Sequence, residues 1–182
     1  MFWIARILVA AVLLVVLVYG VGLLMPAERS VTKTTLIDAL PELVFRIATD
    51  VEKYAEWRSG LRSLAVESRG DLWNWTEVTD GGTTLRLRET QKVPLQRFAV
   101  EYESSSGIHG RWVGDFESSN EDRTKLTCTE TVVIDNPLFR LPAYLLLNTG
   151  ARLDVLLGDL NRRAASESPT PEEPPVAIPF NF

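Results

Sequence analysis

The sequence predicts an α+β fold: an antiparallel sheet of about seven strands packed on a long C-terminal helix, behind an N-terminal transmembrane helix. Three observations carry this reading. Nineteen consecutive uncharged residues run from Ile7 to Met25. Six strand-like segments between residues 61 and 134 are separated by short turns rich in Gly, Asp, Asn and Ser. An Asn136-Pro137 pair then opens a helical pattern that runs to Ala164.

The apolar run, ILVAAVLLVVLVYGVGLLM, lies between Arg6 and the group Pro26, Glu28 and Arg29. As a helix it spans about 28 Å, the hydrocarbon thickness of a bilayer. A buried core helix would carry a polar stripe; here only Tyr19 and two glycines interrupt the aliphatics. A cleaved export signal is the competing reading, with Met1–Arg6 as a weakly positive lead and Gly20-Val21-Gly22 as the small-residue site. The run exceeds the about 7–15 apolar residues of such signals, which favours an uncleaved anchor over residues 1–29. The expected location is therefore a single pass through a plasma or inner membrane, with Ile7–Met25 as the membrane contact. Arg6 on one side and Arg29 and Lys33 on the other nearly balance, so the positive-inside rule sets no orientation. The export-like first residues turn the expectation to an extracytoplasmic domain.

Residues 30–165 suit one domain with one core. Ser30–Ile37 (SVTKTTLI) has strand composition, with Val31, Lys33 and Thr35 on one face. Pro41-Glu42 starts a short helix, proline suiting the first helical position and the acid the positive dipole end. Asp50 is placed to cap a second short helix, Val51–Trp57, whose aromatic side carries Tyr54 and Trp57. Strands follow at Leu61–Glu67, Trp73–Val78, Thr83–Thr90, Leu95–Glu103, Ile108–Ser118 and Lys125–Ile134. Their connections are too short for parallel crossovers, so neighbours are antiparallel. Asn136 caps the final helical region, and Pro142 is expected to kink it or break it, leaving a short piece before a long one from about Ala143 to Ala164. On the long piece Leu146, Leu153, Leu157 and Leu160 share a stripe with Gly150, while Asp159 and Arg163 form an exposed pair. Residues 166–182, SESPTPEEPPVAIPFNF, read as a disordered Pro/Glu-rich tail.

Composition excludes several classes. Net charge is −5 with no Lys/Arg block, so no nucleic-acid partner is expected. One Cys and one His cannot build a disulfide framework or an ordinary zinc site, and no metal or cofactor is expected. No nucleotide-binding glycine pattern or Ser-His-Asp set can be assembled. A protein partner is left open.

The order of elements and several motifs resemble the START-like (SRPBCC) superfamily and its polyketide cyclase/dehydrase-like branch. The segment TDVEKYAEWR (Thr49–Arg58), Trp75 with Glu77, Gly110 with Trp112, Thr129-Glu130 and NPLFR (Asn136–Arg140) carry the likeness over about 135 residues. Ile108-His109-Gly110 departs from the pattern, which often has an aromatic and two glycines there. The resemblance implies a helix-grip fold, in which the sheet curls around the last helix and leaves a cavity for a hydrophobic small molecule or lipid. Only some members do chemistry there.

Strand parity nominates the lining. Trp73, Trp75 and Glu77 share one face; so do Leu85, Leu87 and Glu89, and Phe98, Val100 and Tyr102. Gly110, Trp112, Gly114 and Phe116 align, as do Cys128, Glu130 and Val132. Helical residues Trp57, Leu146, Gly150, Leu153 and Leu157 complete the expected cavity, with Gly150 keeping it open. A carboxylate on an apolar face must be paired, hydrated or protonated. Glu77 and Glu89 are expected near strand ends, reaching water or an arginine such as Arg58 or Arg140. Glu130, between Cys128 and Val132, is the candidate polar anchor or catalytic residue. His109 falls opposite Trp112, facing solvent.

The expected function is a membrane-anchored START-like domain that binds a hydrophobic small molecule or lipid. One alternative is a cyclase or dehydratase using Glu130 with Tyr102 or Tyr54. Another is an interaction module whose core is filled by its own tryptophans.

Overall fold

Alternating hydroxyl residues on two strands far apart in sequence join the first strand to the sheet. The computed structural model describes residues 2–119, 122–146 and 148–168. In it β1 (Glu28–Ile37) pairs antiparallel with β7 (Arg123–Ile134), Val31 opposite Glu130 and Lys33 opposite Cys128. On the outer face Ser30, Thr32 and Thr34 share hydrogen bonds with Thr131, Thr129 and Thr127 at 2.7, 2.9 and 3.1 Å. Such cross-strand hydroxyl pairs add a few tenths to about 1 kcal/mol each.

The other strands are β2 (Leu61–Arg69), β3 (Trp73–Thr79), β4 (Thr84–Val93), β5 (Arg97–Ser104) and β6 (Ile108–Ser119). They make a seven-stranded antiparallel sheet in the order β1-β7-β6-β5-β4-β3-β2, as the short connections require. Register shifts between Leu61 and Ser63, Val66 and Ser68, and Glu89 and Gln91 mark bulges, which bend strands and strengthen their twist. The sheet is curved, and the helices over residues 41–57 and 149–167 lie on its inner side. Predicted strand limits hold to within about three residues.

α2 (Pro41–Thr49) buries Val44, Phe45, Ile47 and Ala48 against the sheet and the last helix. Asp50 does not cap the next helix through its side chain. Its backbone N–H instead closes α2 on the Arg46 carbonyl, and its carboxylate pairs with Lys53 at 3.0 Å. A 3-10 turn at Val51–Lys53 then leads into α3 (Tyr54–Trp57).

The C-terminal helices correct two expectations. α4 (Pro137–Leu146) runs through Pro142 without breaking, and α5 (Thr149–Glu167) starts afresh. The break falls near Asn148, whose side chain accepts the Ala151 N–H at 3.0 Å. Asn148, Thr149 and Gly150 are poor helix formers, and the cap makes a new start there cheaper than continuation. Leu146 consequently ends α4 at 81% exposed and leaves the inner stripe. Leu153, Leu157, Leu160 and Ala164 remain on it, buried over β1 and β7.

Asp159 is not an exposed partner of Arg163. It is 2% exposed, accepts from the Ser59 N–H (2.6 Å) and hydroxyl (3.0 Å), and pairs with Arg162. Arg163 turns to Glu167 and Glu56. Helix α5 runs two residues past the expected start of the tail at 166. From residue 169 that tail lies outside the described residues.

At the other end α1 (Phe2–Leu24) is one continuous helix, apolar on every side and long enough to cross a membrane. Only Gly22 is buried, against the backbone of Pro137.

Asp159 joins α5 to the loop after α3, so Asp159→Ala should destabilise the full chain by about 2 kcal/mol, the range for charge-assisted hydrogen bonds. Urea denaturation followed by tryptophan fluorescence in detergent measures it, and Arg163→Ala should change stability far less.

Candidate functional site

Side chains alternate across a strand, and the inner face of this sheet collects the residues that parity nominates. Trp75, Phe98, Val100, Tyr102, Phe116 and Cys128 are buried there, together with Leu153 and Leu157 from α5. Trp57, Trp73, Leu87 and Trp112 are half-buried against that core, and Leu85 is half-buried opposite Ser104. Helix α5 covers the β1–β7 side of the sheet. The half-buried residues of β3, β4 and β6 form an apolar wall beyond it.

Two glycines shape this wall. A Cβ on Gly110 would meet the Tyr102 hydroxyl at 2.6 Å and the Thr131 carbonyl at 2.3 Å. One on Gly114 would meet the Trp112 ring at 2.6 Å. The gap at Gly110 lets the Tyr102 ring lie across β6 and donate its hydroxyl to Glu130 Oε1 at 2.8 Å. The gap at Gly114 receives the Trp112 indole, which meets Phe98 edge-on at 6.1 Å.

The three inward carboxylates have three different environments. Glu77 accepts from Arg58 at 2.6 Å and from the Trp75 indole at 2.9 Å, an ion pair beneath the cation–π contact of Arg58 with Tyr54. Arg58 is thus its partner, and Arg140 serves elsewhere. Glu130 is held by Tyr102 and lies 3.5 Å from Arg152 on α5. Glu89 departs from expectation: it is 2% exposed, pairs with no arginine among the described residues, and its Oε1 is buried without a hydrogen-bond partner among them.

The Trp57 and Trp112 indole nitrogens are likewise buried and unpartnered among the described residues. Register connects these groups. Glu89, Val100, Trp112 and Glu130 stand side by side on β4, β5, β6 and β7. Trp57 packs edge-on against Tyr54 at 5.5 Å, and Tyr54 senses the charge of Glu89. The wall therefore offers one acceptor and two donors, each of which would ordinarily be satisfied when buried.

The tyrosines stay protonated. Burial, then the Glu89 and Glu77 charges against the opposing pull of Arg58, drives the Tyr54 hydroxyl up; that hydroxyl donates to the Ala48 carbonyl at 2.6 Å. Burial first, and Glu130 second, drive Tyr102 up as well. Burial also raises the Cys128 thiol, leaving it unreactive. Neither tyrosine is a base near neutrality, but Tyr102 is a fixed donor.

Gly150 sits over β1, where a Cβ would make ordinary contacts with Lys33 and Val31, so β1 side chains fill the space before it. His109 lies on the outer face, 3.6 Å from Asp135. Sequence reading missed Arg152, because an arginine on a helix otherwise looks like a solvated charge. It missed the isolation of Glu89 because parity gives a direction but no partner. Among the described residues no cluster of His, Cys, Asp and Glu could hold a metal ion.

Comparison with known proteins places the fold. Residues 28–164 match the family described as "Polyketide cyclase / dehydrase and lipid transport". No curated protein sequence matches the chain. A START superfamily protein from Mycobacterium smegmatis superposes with a TM-score of 0.61 at 15% identity, covering 76% of this chain and 99% of that one. The Zhui aromatase/cyclase from a Streptomyces species gives 0.56 at 21% identity, covering 75% and 95%. A Thermus thermophilus protein gives 0.61 at 23% identity, covering 77% and 100%. These likenesses establish the START-like, helix-grip fold.

Two outcomes test the geometry. Gly110→Ala should lower stability by about 1–3 kcal/mol, the range for overpacking, in chemical denaturation. Tyr102 keeps its proton in the folded chain beyond the pH of about 10 at which it ionises when unfolded. Its contribution is complete below that pH and is lost as pH rises towards the folded value. The denaturation midpoint should therefore fall more steeply between about pH 9 and 11 in the native protein than in Tyr102→Phe.

Proposed function

The chain belongs to the polyketide cyclase/dehydrase and lipid transport family, and we propose that it is a membrane-anchored binding domain for an apolar small molecule or lipid with one polar end. The observation that carries this reading is the set of unpartnered buried polar atoms on an aromatic wall: Glu89 Oε1, Trp57 Nε1 and Trp112 Nε1. A binding site is concave and mostly apolar, with a few placed polar groups that orient the ligand. Here a ligand hydroxyl would donate to Glu89, and a carbonyl or ether oxygen would accept from an indole N–H. A core filled only by its own side chains would leave these groups unsatisfied, each at about 1–3 kcal/mol. Helix α1 would hold the domain at the bilayer, where such a ligand dissolves.

A second reading rests on the Tyr102–Glu130 contact. A carboxylate beside a fixed phenol donor, with Arg152 near it, could shift a proton on a bound polyketide-like substrate, as a cyclase or dehydratase requires. The likeness to an aromatase/cyclase fold is compatible with this. Glu130 already has two partners, however, whereas Glu89 Oε1 has none among the described residues, and the binding reading uses that oxygen.

Native mass spectrometry of the detergent-purified full chain should show a co-purified small molecule. Displacement of an apolar fluorescent probe should then weaken about 10-fold or more in Glu89→Ala, the loss expected for a charge-assisted hydrogen bond. Trp57→Phe and Trp112→Phe keep the rings and should each weaken it about 3–10-fold. Unchanged binding in all three folded variants would overturn the proposal. Chemical alteration of the ligand that disappears in Glu130→Gln would establish the enzyme reading instead.

A further inference from the structure

Helix α4 carries a face that the other described residues leave bare. Phe139, Pro142, Leu145 and Leu146 recur at i, i+3, i+6 and i+7 and so lie on one side of the helix. All four are exposed, Leu145 at 73% and Leu146 at 81%. Arg140 is the only charge on α4, and the other side of the helix turns Ala143 inward.

The position of α4 is set by α1. Gly22 packs so closely on Pro137 that a Cβ there would meet the Pro137 carbonyl oxygen at 1.9 Å. Arg140 locks the corner. Its Nη1 donates to the carbonyls of Gly22 (3.2 Å) and Met25 (3.4 Å), Nε to Ile134 (2.9 Å) and Nη2 to Asp135 (2.9 Å). Arg29 stacks over the Tyr144 ring at 4.9 Å, a second tie between the chain leaving α1 and α4. Gly22 belongs to the apolar run, about 4–5 Å of helix rise before its end at Met25. The start of α4 is thus level with the last turn of α1.

We propose that α4 lies in the surface of the lipid bilayer, with Phe139, Pro142, Leu145 and Leu146 dipped into the boundary between headgroups and acyl chains. This rests on reading α1 as an uncleaved span. The depth follows from continuity: a helix that begins beside the last turn of a membrane span has lipid as its neighbour on any side the protein leaves uncovered. Its composition fits, since interfacial helices combine an apolar face with aromatic and arginine residues at headgroup level. The consequence concerns the site. Helix α5 starts three positions after α4 ends, and Arg152 in its first turn lies 3.5 Å from Glu130. The bilayer surface would then border the Arg152 end of the inner face.

Lipid-depth quenching tests this in the full chain reconstituted in phosphatidylcholine vesicles. The native Cys128 is fully buried, so an environment-sensitive thiol dye reports only an introduced cysteine. Exposed positions are labelled singly: Val12→Cys on α1, Leu146→Cys on α4, and Glu117→Cys on β6 as the aqueous control. The Leu146→Cys dye should be quenched about two-fold by phosphatidylcholine carrying a doxyl group near the top of its acyl chain. The Val12→Cys dye should respond best to a doxyl group near the methyl end, and the Glu117→Cys dye to neither. Quenching at Val12→Cys without any at Leu146→Cys would overturn the α4 proposal while leaving the anchor intact. Absence of quenching at Val12→Cys would overturn the anchor, and the proposal with it. Pyrene excimer emission from Leu146→Cys in place of lipid quenching would make the face a contact between two copies, which also overturns it. Should labelling at Leu146 disturb folding, Phe139→Cys gives the same reading from the other end of the face.

Discussion

One pairing, β1 on β7, is the constraint on which the remaining architecture depends. Each of the other strand pairs joins sequence neighbours through a short hairpin and could form locally. The β1–β7 seam instead brings residues about 100 positions apart into register, Val31 onto Glu130 and Thr35 onto Leu126. Such closure is entropically expensive and needs compensation along its length. The outer hydroxyl ladder supplies part of it, and the exposed pair of Lys33 with Asp154 at 2.9 Å adds a tie from β1 to α5. Once the seam is made, α1 and α4 emerge at one corner, and α5 has a defined bed over β1 and β7.

The inner face then serves both as core and as candidate site, which creates an electrostatic problem. Three glutamates occupy inward positions where an isolated charge would be untenable. The protein answers with proximity: Arg58 and an indole for Glu77, Tyr102 and Arg152 for Glu130. Glu89 lacks a comparable partner among the described residues, although it lies in the same row as Trp112 and Glu130. Three residues that parity treats alike thus stand in three different environments.

The Arg140 corner solves a different problem. The last carbonyls of a helix have no partner within it, and α1 is too apolar to carry polar groups of its own there. A guanidinium placed against Gly22 and Met25 meets that need and adds a positive charge at the negative end of the helix dipole. The same side chain ties down the carbonyls of Ile134 and Asp135. Glycine at 22 matters because no other residue allows this approach of two backbones.

Sequence alone determined the parts of this protein governed by local periodicity. Two-residue alternation set the inward faces of β3 to β7, turn residues set the antiparallel order, and nineteen apolar residues set α1. The alternation Gly110, Trp112, Gly114 even carried the spacing that the Tyr102 and Trp112 rings need, although only the packed structure shows which ring fills which gap. Tertiary structure decided whatever depends on partners distant in the chain. Asp159 looked like a surface charge until Ser59, one hundred residues away, came to meet it. Arg152 gained a role only through Glu130 on another element, and Leu146 lost its place when Asn148 capped a new helix. The physical reason is the same throughout: periodicity fixes the direction of a side chain, but its energy is set by what the fold brings within a few ångströms of it.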